Sequence, residues 1–292
     1  FTTPSVYVDA PIIRGFGKKD WIGVGMTLLN DKVGTNELQT NHFLFSAAYH
    51  LAMDKKATSI LTFGVQGGSV SRRLKEANLN FADEYDFLAQ DFILTGANTR
   101  EPDADGNYNN ASYIDFSAGV MLRTLLNKES SLEIGAALNH ITKPDYSLLG
   151  LASSGPGPNP TPGAGKKAPR PFTTTAHAKL NLGLTDLWSF NPALLFQSTS
   201  GATEFALQAW AGRMINKDVT LNFGGGYRFG DSAEALFGLD YRDLRVALSY
   251  DINLSSLNNV TNSVGGFEIA AYYIVKIFKK PTVKPAILCP RF

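Results

Sequence analysis

The chain has 292 residues with 27 basic and 26 acidic side chains, a net charge of +1 that gives no reason to expect a nucleic-acid partner. Charged residues make up 18% and aromatics 11%, which is less charge than a soluble surface usually carries. Cys289 is the single cysteine, excluding an intramolecular disulfide and any CxxC site, and no stretch reaches the roughly 18 consecutive apolar residues of a membrane helix.

In chain order the hydropathy pattern predicts thirteen strands, at about 4–13, 20–30, 39–53, 57–72, 111–126, 130–143, 170–184, 188–199, 202–215, 218–229, 232–241, 244–255 and 264–278. Most exceed a typical globular strand and suit a tilted membrane crossing of ~9–11 residues. The early segments carry an apolar register of Ile22, Val24, Met26, Leu28, then Phe43, Phe45, Ala47, Tyr49, then Leu61, Phe63, Val65, then Ile114, Phe116, Ala118, Val120, Leu122. Opposite them stand Thr62, Gln66, Asp115, Ser117, Gly119 and Arg123. From Val219 to Leu254 the alternation runs almost without error through three strands. One register holds Phe223, Tyr227, Phe237, Leu239, Leu248 and Tyr250, and the other Arg228, Glu234, Asp240, Arg245 and Asp251. A soluble sandwich would turn the apolar register toward a second sheet, whereas a membrane barrel turns it toward lipid and keeps the charges in the lumen.

The connections decide between these. Counting back from the C-terminus, alternate turns at Asp243, Asn216-Lys217-Asp218, Leu187, Asn127-Lys128-Glu129 and Asp54-Lys55-Lys56 are short, while the intervening set includes 74–110 and 145–169. Short turns on one rim and long loops on the other are the outer-membrane pattern, with the short rim periplasmic. The expected fold is therefore all-β: a closed antiparallel transmembrane β-barrel over 1–278 with long extracellular loops 74–110 and 145–169, followed by a periplasmic tail over 279–292. Closure removes unpaired backbone groups that lipid cannot satisfy. Bacterial barrels have an even strand count and begin in the periplasm, so about 14 strands are expected, one of them ahead of Phe1. The absence of an initiator Met or signal segment is read the same way, as a processed or truncated chain.

Several patterns occur in a specific order from Trp21 onward. They are Gly23-Val24-Gly25 leading to Asp31 and Gly34, Ala48-Tyr49-His50 before Leu61-Thr62-Phe63-Gly64, and Asn139-His140-Ile141-Thr142-Lys143-Pro144. Gly225-Gly226-Tyr227-Arg228, Leu248-Ser249-Tyr250-Asp251, Gly266-Phe267-Glu268-Ile269 and the ending Lys284 to Phe292 follow. In these the chain resembles the PorP/SprF family, outer-membrane proteins of the type IX secretion and gliding machinery of Bacteroidetes. The family's N-terminal segment rich in Asn, Pro and Ala is absent. The resemblance implies a non-enzymatic outer-membrane barrel that binds and helps export or anchor a secreted cell-surface protein of the adhesin type, with periplasmic motor or secretion subunits as further partners. No cofactor or metal is expected.

A barrel hydrolase needs a Ser, a His and an orienting group within hydrogen-bond reach. Only His42, His50, His140 and His177 supply imidazoles; His42 and His50 lie roughly 26 Å apart at strand rise, and His140 suits the membrane interface at its strand's end. A structural role is favoured for all four. Gly224-Gly225-Gly226 lacks the Lys-Ser/Thr and helix of a phosphate loop. The lumen charges Asp115, Arg123, Arg228, Glu234, Asp240, Arg245, Asp251, Glu268 and Lys276 are of mixed sign. A self-satisfied network across strands is preferred to a solute path, and the functional reading is that some of them grip an inserted peptide. Phe81, Tyr85, Phe87 and Phe92 make loop 74–110 too apolar to be idly solvated, and Cys289 and Arg291 mark the tail as a second contact candidate. The rival readings are a porin or transporter for a small solute and a structural anchor of the motor.

Overall fold

A computed structural model describes residues 2–14, 19–34, 38–73, 85–86, 91–92, 110–146, 169–256 and 262–275. Its strands are β1 (Ser5–Arg14), β2 (Trp21–Val33), β3 (Leu38–Ala52), β4 (Ser59–Arg73), β5 (Tyr85–Asp86), β6 (Asp91–Phe92), β7 (Asn110–Leu125) and β8 (Ser131–Asn139). They continue with β9 (Thr173–Gly183), β10 (Trp188–Thr199), β11 (Ala202–Asn216), β12 (Val219–Arg228), β13 (Ser232–Tyr241), β14 (Leu244–Asn253) and β15 (Val264–Tyr273). Thirteen form one antiparallel sheet in chain order, interrupted only by β5 and β6, which pair with each other. The thirteen expected strands are the thirteen observed. No helix among the described residues is long and apolar enough to cross a membrane.

The chain divides into two compact units, Phe1–Leu182 with Asn191–Leu207, and Gly183–Phe190 with Gln208–Phe292. In the second, the register Phe223↔Phe237↔Leu248↔Ile269 keeps the apolar side chains on one face. Thr220↔Asp240↔Arg245↔Tyr272 and Gly226↔Glu234↔Asp251 keep the polar ones on the other. In the first, Gly68↔Asp115 and Ile60↔Arg123↔Glu133 share the face opposite Ile114 and Val120. The faces have the reverse of soluble burial: Asp115 is 6% exposed and Asn222 8%, while Ile114 is 55% and Phe223 47%. Sheltered polar groups beside displayed Phe, Ile and Leu are what strands bathed in hydrocarbon require.

The connections also sort by alternation. One set, 53–58, 126–130, 184–187, 217–218 and 242–243, is uniformly short. The other holds the spans 74–109 and 140–172 but also the tight turns 200–201 and 229–231, so that rim mixes long and short loops. The edge strand β1 accommodates Pro11 where its pairing with β2 shifts register, a position open to a residue without an N–H.

Four predicted bounds move by three residues or more, the first being the end of β2, at Val33 and not 30. β15 ends at Tyr273, not 278. β8 ends at Asn139, not 143, because His140 and Lys143 take left-handed backbone angles of 59° and 45° and Pro144 follows. β9 begins at Thr173, not 170, because Arg170 is engaged elsewhere: its N–H donates to the Pro144 carbonyl at 2.8 Å.

Candidate functional site

Of the nine lumen charges, the eight other than Lys276 lie in the polar registers, and the structure gathers them into separate groups. In the first unit, Asp115 on β7 accepts a hydrogen bond from His140 at 2.6 Å, with the Arg170 guanidinium 3.9 Å away. Arg170 also donates to the Tyr113 hydroxyl at 2.9 Å, and Arg72 on β4 donates to the Tyr146 carbonyl at 2.9 Å while lying 5.1 Å over its ring. Both feet of the β8–β9 connection are thus tied across the polar face of β4 and β7. Beyond the end of β8, the left-handed turn at 140 places the His140 ring on the polar face, where a buried carboxylate needs a partner. Two further imidazoles make local contacts within the sheet. His50 stacks on Trp21 and hydrogen-bonds Thr62 at 2.9 Å, and His177 lies over Gly135, where a Cβ would come within 2.4 Å of the ring.

Arg123 meets Glu133 at 3.6 Å across the β7–β8 pair. In the second unit Arg245 forms a two-pronged ion pair with Asp240, its direct cross-strand neighbour, the geometry in which guanidinium and carboxylate bind most strongly. At a turn, Arg242 is raised above its ordinary pKa by hydrogen bonding to Asp218 at 3.2 Å. These are the self-satisfied pairs that mixed-sign alternation predicts.

The remaining four candidates converge. Arg228, Glu234, Asp251 and Glu268 line a single groove of about 240 Å³ together with Gln208, Trp210 and Ser249. Arg228 reaches Asp231 at 3.0 Å and Glu234 at 3.3 Å, and Gln208 donates to Glu234 at 3.2 Å. The Trp210 indole N–H donates to the Gln208 carbonyl oxygen at 3.0 Å, which fixes the ring as one wall. The Glu234 carboxylate packs over Gly226, where a Cβ would stand 2.6 Å from one of its oxygens. Sequence reading missed Gln208 and Trp210, although both sit at period-2 positions opposite Phe205 and Leu207 on β11, which is the signal that would have found them.

Of the loop candidates, Tyr85 pairs with Phe92 in the small β5–β6 ladder, and their side chains lie outside the described residues. Phe81, Phe87, Lys276, Cys289 and Arg291 also lie outside them.

A sheet of thirteen long antiparallel strands, apolar on its displayed face and charged on its sheltered one, defines a membrane β-barrel protein. The chain belongs to the PorP/SprF family of type IX secretion system membrane proteins, whose sequence pattern matches residues 1–273. No curated protein sequence matches it. Among solved structures, BamA from Haemophilus ducreyi lacking POTRA domains 1-3 is similar, with a TM-score of 0.45 and 9% identity over 92% of this chain. The match spans 62% of that chain's length, and a likeness this distant carries no functional argument.

Proposed function

We propose that the protein is a non-enzymatic barrel of the bacterial outer membrane that binds a secreted or surface-anchored protein of the type IX system and helps export or anchor it. In this reading the sheet closes on itself over 1–278, the short connections and the tail 279–292 face the periplasm, and loops 74–110 and 145–169 face outward. The observation that carries it is the polar face of β11 to β15, where mixed-sign charges end in a side-chain-sized groove instead of the one-sign ring that selects small ions. Membership of a secretion-system family supports a polypeptide as the occupant.

Gentle detergent extraction of the native protein followed by mass spectrometry of what co-purifies tests the reading. A stoichiometric surface protein or secretion subunit is the expected result. A lone barrel that conducts small solutes across a planar bilayer would overturn it in favour of a porin.

A further inference from the structure

Elsewhere on the polar faces the chain supplies its own counter-charges: Asp240 has Arg245, Glu133 has Arg123, and Asp115 has His140 and Arg170. The groove of β11 to β15 departs from this. Three carboxylates line it against the single guanidinium of Arg228. Glu234 is already engaged by Arg228 and Gln208, whereas the side chains of Asp251 and Glu268 join no ion pair among the described residues. They stand on the neighbouring strands β14 and β15, Glu268 opposite Ser249 and Asp251 two residues further along β14 where the pairing shifts register, and both side chains line the groove.

We propose that this groove is a receptor for a basic side chain, arginine in first place, presented by a polypeptide lying along the polar face. Charge complementarity names the sign, and three features narrow the class. At about 240 Å³ the groove is smaller than the ~300–1,000 Å³ pockets that enclose drug-sized ligands, so it holds a side chain better than a free solute. No three His, Cys, Asp or Glu side chains among the described residues converge as metal ligands do. Trp210, its indole N–H bound to the Gln208 side-chain oxygen, also lines the groove, and a planar guanidinium stacks on such a ring while its N–H groups fork toward carboxylates. The inference rests on the proposed polypeptide-binding role and adds the chemistry of the residue that is bound.

The test uses the full chain folded in detergent with Trp21→Phe and Trp188→Phe, which leaves Trp210 as the sole indole, and titrates it with a hexa-arginine peptide. Saturable change in Trp210 emission is expected, weakened at least about tenfold by Asp251→Asn with Glu268→Gln, because each lost charge-assisted hydrogen bond is worth about that factor. Glu133→Gln, on the other unit's polar face, should leave it unchanged. Should the double variant lose its heat-modifiable gel mobility and so fail to fold, Glu268→Gln alone carries the comparison. Unaltered emission at saturating peptide, or equal affinity in the carboxylate variant, overturns the proposal. So does free arginine amide binding as tightly as the peptide, since the groove would then be a small-cation site. Capture of a surface protein without peptide binding at Trp210 sinks the groove and leaves the proposed function standing; peptide binding with nothing co-purifying does the opposite.

Discussion

Asp115 illustrates what one charge demands when its strand crosses a membrane. With its side chain 8% exposed it must be compensated, and His140 and Arg170 converge on it from beyond the ends of β8 and before β9. Replacing it by Ala leaves His140 without its acceptor and Arg170 without its nearby counter-charge on a sheltered face, and a loss of about 3 kcal/mol is expected from the cost of breaking a buried pair. The urea midpoint of the heat-modifiable gel band checks this. Asp54 shows the milder surface case. The Thr58 hydroxyl, and then the Thr58 amide at 2.7 Å, hold its carboxyl below the usual carboxylate range. A depressed pKa means the contribution is complete above the ordinary carboxylate pKa and fades as pH falls through the lowered value. Exchange protection of the Thr58 amide should therefore drop in acid, and Asp54→Asn should flatten that pH profile.

At the scale of the strand, alternation does nearly all the specifying. Because side chains of successive residues leave opposite faces, Val219 to Leu254 could be read straight into β12, β13 and β14, and the apolar and polar registers of the sequence are the two faces of the sheet. Where local chemistry overrides the pattern, the bounds shift: β8 stops short because a left-handed His140 turns the chain toward Asp115. The face assignment makes a directional prediction on β8. Ile134→Arg places a charge on the displayed apolar face, where Ile134 is 48% exposed, and should cost ~2–4 kcal/mol in lipid. Ala137→Ser, on the opposite register facing Gly119, should stay within about 0.5 kcal/mol. Unfolding titrations of both variants in lipid vesicles separate the faces, and equal costs would contradict the assignment.

For the whole molecule the apolar face is the dominant fact. Removal of detergent should precipitate the folded protein, and transfer into lipid vesicles should give a species that migrates faster unheated than boiled. Among the described residues the sheet has thirteen antiparallel strands, an odd number, and a closed sheet with antiparallel neighbours throughout has an even one. Strand number, strand faces, the all-β class and the family were legible in the order of residues, because a period of two and the spacing of turns are local properties of a chain. The pairings that build the candidate site were not. His140 meets Asp115 across 25 residues and Arg170 meets Tyr113 across 57, and Trp210 shares a groove with the carboxylates of β13 to β15 only after β11 to β15 are laid side by side. Sequence decides which face a charge occupies; which opposite charge comes within reach depends on register between strands and on where a loop re-enters the sheet, and those are set by tertiary packing.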